Sequence, residues 1–121
     1  MTTEEKIKYA KGRFMALRNG IIADVYRKAG ISCYHVIYGL NLPQLKALAK
    51  ELGKDEALAR KLWEDRNVRE SRLLSTWLWP EATVTDQLKQ KLLEESQTKE
   101  ERDYLLLNLP GSVSRSVSEG S

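Results

Sequence analysis

The side chains of this chain that could engage another molecule are mostly cationic. Arg66, Arg69 and Arg72 recur at intervals of three, which sets them in a slanted row along one helix, and Lys46 and Lys50 make a second row one turn apart. Such rows suit a phosphate backbone, because guanidinium and ammonium groups donate to phosphate oxygens without reading base edges. A competing use is written beside them: Glu64, Asp65 and Glu70 are near enough for Arg69 or Arg72 to pair with them and hold adjacent helices together. No base-reading motif is present, so binding through these rows would rest on shape and charge.

The remaining reactive residues lack partners. Cys33 is the only cysteine and His35 the only histidine, which excludes a zinc ligand set and a Cys-His nucleophile within one chain. No metal and no cofactor is expected. Cys33 reads as a packing residue, and His35 as a partly buried polar residue. A lone cysteine makes no internal disulfide, and the opening MTTEEKIK is charged without the apolar segment of a secretory leader, so a cytoplasmic protein is expected. No apolar run approaches the roughly 20 residues that span a bilayer, which excludes an integral membrane protein.

Charge is unevenly distributed. Residues 1–80 hold 15 Lys and Arg against 9 Asp and Glu, for +6, whereas residues 81–121 hold 5 against 8, for −3. A basic first part favours a polyanionic partner, although charge of this size also decorates ordinary solvated helix faces.

The elements that must position these residues are helices. At 121 residues, 41% hydrophobic and 31% charged, the chain suits one soluble domain. Thr2 with Glu5 forms a capping box, and Ile7, Ala10, Phe14, Leu17, Ile21, Ile22, Val25 and Ala29 continue an apolar stripe to Gly30, with Asn19-Gly20 as the break between two shorter helices or a kink in one. Residues 30–40 are β-branched and aromatic, yet no second strand exists to pair with them, so they are expected to be an ordered, buried linker. Three short helices follow. Asn41 and Gln44 box the first around Leu45, Leu48, Ala49 and Leu52; Asp55 caps the second, with Leu58, Ala59, Leu62 and Trp63 inside; Asn67 and Glu70 box the third, with Leu73, Leu74, Trp77 and Leu78 inside. Trp63 and Trp77 lie on apolar stripes and read as core, while Trp79 stands at a helix end before the terminating Pro80 and could be exposed. Thr83 or Thr85 then caps a helix carrying Val84, Leu88 and Leu92, and Thr98 with Glu101 caps a last one that buries Tyr104, Leu105, Leu106 and Leu109. The expected fold is all-α, an antiparallel helix-pair array of five to six helices over residues 1–110, followed by a flexible polar tail over 111–121.

From Asn19 to Trp79 the order and spacing of Tyr38, Gly39, Pro43, Leu45, Leu48, Ala49, Lys50, Leu62, Trp63, Arg69, Glu70, Arg72 and Leu73 resemble the DNA alkylation repair family. These are alkylpurine DNA glycosylases built from HEAT-like helix pairs. The resemblance implies a HEAT-like array that contacts duplex DNA. It also implies a site in which a carboxylate opposes the developing sugar cation and two tryptophans flank the cationic base, with a downstream Arg. Aligned on that segment, Asp103 takes the place of the Asp, but Lys99 stands where the Trp is expected, and all three tryptophans lie upstream. The expected function is therefore duplex-DNA binding through the phosphate backbone by Arg66, Arg69, Arg72, Lys46 and Lys50, without a complete glycosylase site. An active glycosylase using Asp103 and a protein-interaction scaffold are the alternatives.

Overall fold

The computed structural model describes residues 1–111, so the expected tail, apart from Gly111, lies outside the described residues. Seven α-helices follow one another: α1 (Thr3–Leu17), α2 (Gly20–Lys28), α3 (Leu42–Leu52), α4 (Glu56–Glu64), α5 (Arg69–Ser75), α6 (Asp86–Glu95) and α7 (Lys99–Asn108), with one 3-10 turn at Glu81–Thr83. The fold is an all-α antiparallel array, with seven helices among the described residues in place of the expected five to six. The extra helix comes from Asn19, which ends the first run: its side chain accepts from Ile21 N and Ile22 N and starts α2 afresh.

Local capping sets most boundaries where the sequence places them. Thr2 with Glu5 and Asn41 with Gln44 form reciprocal boxes, and Asp55, Thr85 and Thr98 accept from the N3 amides of α4, α6 and α7. The core gathers Phe14 of α1, Leu45, Leu48 and Leu52 of α3, Leu58 and Leu62 of α4, Leu73 and Leu74 of α5, Leu92 of α6 and Leu105 of α7. α5 sits at the middle of this packing, against α3, α4 and α7, and every one of its seven residues is buried.

Several expectations are corrected. α2 buries no residue at all, and Ile21 and Val25 are exposed. Leu106 is also exposed, because α7 turns Glu101, Tyr104, Leu105 and the following Leu109 inward. Trp79 is buried, its indole N–H is the one buried side-chain polar atom without a hydrogen-bond partner among the described residues, and Trp77 is only half-buried. His35 is exposed. α5 has no side-chain cap, since Val68 precedes it and Glu70 is directed elsewhere, and the helix ends at Ser75, well before Pro80.

The linker is ordered by hydrogen bonds that the sequence does not announce. Val36 makes an isolated parallel bridge with Val68, its N–H donating to Asn67 O at 2.9 Å and its carbonyl accepting from Arg69 N at 3.2 Å. Gly39 adopts φ +90°, and a Cβ there would lie 2.3 Å from Asn19 O, so the chain passes α2 at a distance that only glycine permits.

Candidate nucleic-acid interface

The two cationic rows end up in opposite environments. Arg69 and Arg72, on α5, are each about 1% exposed and cannot meet a phosphate on the surface. Arg69 grips Glu100 with two bonds, Nε to Oε1 at 2.9 Å and Nη2 to Oε2 at 3.0 Å. Its Nη1 donates to Glu70 at 2.6 Å and to Leu40 O at 3.0 Å. The guanidinium also lies over the Tyr26 ring, 4.2 Å from its centroid, and donates to the Tyr26 hydroxyl at 2.8 Å. Burial works against the charge on Arg69, but Glu100 and then Glu70 outweigh it and hold the guanidinium above its ordinary pKa.

Arg72 repeats the pattern one turn on. It donates to Glu101 at 3.0 Å, to Trp63 O at 2.6 Å and to Glu95 O at 2.7 Å, and stacks 3.5 Å from the Trp63 ring centroid. The two arginines of α5 are thus matched by two adjacent glutamates in the first turn of α7, where the helix dipole also favours anions. Each glutamate in turn accepts from a tyrosine: Tyr26 donates to Glu100 at 2.6 Å, and Tyr34 donates to Glu101. Burial first, and the bond to Glu100 second, push the Tyr26 hydroxyl up to about 12, and burial with the bond to Glu101 raises that of Tyr34. Glu70 accepts from the backbone N–H groups of Tyr38, Gly39 and Leu40 at 2.9, 2.9 and 3.3 Å, which fixes the linker turn. The Arg-Glu-x-Arg segment is therefore a buried ionic hub. Its partners are Glu100 and Glu101; of the three acids expected to compete, Glu70 joins Arg69, whereas Asp65 pairs with Lys11 at 3.0 Å and Glu64 stays exposed.

Arg66 is exposed in the α4–α5 turn but stands among acids. It lines a concavity of about 470 Å³ together with Glu64, Glu94 and Glu95, which makes it a poor phosphate contact. Asp103 is paired at the surface with Lys99 at 2.9 Å, and the concavity beside it is lined by no tryptophan. Cys33 is partly buried, and burial raises its thiol pKa, which leaves it a weak nucleophile.

Lys46 and Lys50 behave differently. Both are exposed on α3 and neither has an acidic partner among the described residues. With Lys54 they continue at four-residue intervals, about 6 Å of axial rise per step while the helix lasts. All three rim a groove of about 550 Å³ whose other lining residues are Pro43, Ala47, Ala49, Gly53 and Trp77, with no carboxylate among them. Lys54 Nζ donates to Trp77 O at 2.7 Å, and burial lowers its pKa from the ordinary lysine value. Lys54 escapes notice in the sequence because Gly53 and a helix end separate it from α3, and Trp77 reads there as core. The only available signal is that Lys54 keeps the four-residue interval of Lys46 and Lys50 beyond that stop.

No helix among the described residues is long and apolar enough to cross a membrane. Fold and site together define an all-helical antiparallel array with a buried ionic hub and a lysine rim that has no acidic partner among the described residues. No family model matches the chain, and no curated protein and no solved structure matches it.

Proposed function

We propose that the array is a cytoplasmic, DNA-repair-related module that binds duplex DNA through its phosphate backbone, using the α3 lysine rim. The supporting observation is the rank of Lys46, Lys50 and Lys54 around a groove without carboxylates. Among the described residues its cations are not consumed by internal ion pairs, unlike those of α5. The sequence resemblance to the DNA alkylation repair family points the same way. Asp103, tied to Lys99 at the surface beside a concavity that no tryptophan lines, does not supply a glycosylase site, so the module binds without excising.

Phosphate contacts release counterions, so duplex affinity should be independent of sequence and fall with salt with a slope of about −0.9 per contact. Fluorescence anisotropy with labelled duplexes tests this. Replacing Lys46 or Lys50 by Ala should weaken binding equally on every duplex and reduce the slope by about one contact each. Absence of duplex binding at low salt, or a slope unchanged in the Lys46→Ala, Lys50→Ala double variant, would remove the reading.

A protein-interaction scaffold is the second reading, favoured by the exposed Leu106 and Leu107 on α7 and Ile21 and Val25 on α2. A protein partner would seat on those apolar residues and be indifferent to the α3 lysines.

A further inference from the structure

We propose that the α3 groove selects single-stranded over duplex nucleic acid, with a base lying on the Trp77 indole and the flanking phosphates on Lys46, Lys50 and Lys54. This rests on the phosphate-binding reading of the same face and adds that single strands are held more tightly than the duplexes it also binds. A duplex keeps its bases stacked inside and shows phosphates and sugars outward. It would use the lysines and leave the apolar floor of Pro43, Ala47, Ala49 and Trp77 against water. A single strand brings one negative charge and one flat apolar face per nucleotide, and sites for it combine a cationic groove with an aromatic platform.

Trp77 is placed for that role. Trp63 and Trp79 are buried, at 4% and 1% exposure, whereas Trp77 is half-buried and lines the groove. Its ring stands T-shaped to Tyr104, centroids 5.3 Å apart at 78°, and Tyr104 is not among the residues that line the groove. The Lys54 ammonium bonds to the carbonyl of the same residue, so one cation and the platform are fixed together. An acidic peptide would also satisfy the lysines, but it must place carboxylates to match them, while a nucleotide chain supplies charge and a stacking face in every unit.

The test uses the full chain, a labelled twelve-nucleotide oligo-dT and a duplex of equal length, at low salt. The single strand should bind about tenfold more tightly than the duplex and quench tryptophan fluorescence, and Trp77→Leu should abolish that preference while duplex affinity changes less than about twofold. Lys50→Ala should weaken both. If Trp77→Leu fails to fold, Trp77→Phe keeps a smaller flat ring and should retain part of the preference, and quenching in the unaltered protein reads the contact independently. Duplex binding that depends on Lys50, with no single-strand preference and no quenching, would overturn this inference and leave the duplex reading standing. Loss of binding to both forms would remove both. Binding of an oligo-Glu peptide carrying one leucine, with none of oligo-dT, would overturn it in favour of a protein partner.

Discussion

α5 and α3 each carry basic residues at helical spacing, and they put them to opposite uses. On α5, Arg69 and Arg72 are sealed inside, and their bonds run to Glu70, Glu100, Glu101 and four carbonyl or hydroxyl oxygens. On α3, Lys46 and Lys50 face solvent above an apolar groove. The difference lies in what packs against each helix. α7 presents two carboxylates from its first turn to α5, whereas nothing acidic among the described residues lines the α3 groove. Residue type matters as well: the planar guanidinium fork can satisfy two carboxylate oxygens and neighbouring carbonyls at once, which a lysine ammonium does less well in a buried site. A row of positive charge is therefore a surface feature only when no other element answers it.

The contrast can be broken or sharpened by the same kind of substitution on both helices. Arg72→Ala should be the most damaging, because it leaves the buried Glu101 without its guanidinium partner and frees two carbonyls; a loss of roughly 3–5 kcal/mol is expected in urea unfolding. A loss below about 1 kcal/mol would mean that the hub is a wet surface cluster.

A smaller effect is expected in alkali. The raised Tyr26 and Tyr34 hydroxyls favour the neutral form in the folded state, so their contribution is fully present below the ordinary tyrosine value of 10 and is lost as pH rises from there through about 12 for Tyr26. Urea midpoints measured across pH 9 to 12, in roughly half-unit steps, should therefore fall, and the Tyr26→Phe, Tyr34→Phe variant should show a shallower fall from a lower starting stability. An unchanged slope would detach the tyrosines from the hub. Smallest of all, Lys46→Ala and Lys50→Ala should shift stability by no more than about 0.5 kcal/mol in either direction, as thermal unfolding will show. A larger loss would mean that these lysines brace the fold and are not free for a partner.

The helices, their caps and most of the core were legible because each rests on residues within one turn of one another: Thr2 with Glu5, Asn41 with Gln44, and the leucine stripes of α3 and α4. The hub was not. Glu70 sits three residues after Asn67 and looks like half of a capping box, yet its carboxylate leaves its own helix for the Tyr38–Leu40 amides, 30 to 32 positions away. Glu101 likewise resembles the return half of a box at Thr98, but it bonds to the Gln97 amide, Arg72 and Tyr34. Local spacing reports what a side chain can reach along the chain; it carries no information about partners brought in from other helices. Trp79 shows the same limit, since a terminal position suggested exposure and the packing of α4 and α6 residues around it decided otherwise.

α5 is seven residues long and has no side-chain cap, too short to persist as an isolated helix in water. Its stability must come from segments that close on it from far along the chain, at Tyr26, Leu40 and Glu100. Stacked helix pairs ordinarily can nucleate at one end and grow by neighbours. Here the middle helix waits for both ends, so amide exchange should protect α5 only through global opening, and a fragment ending before α7 should lose the whole array at once.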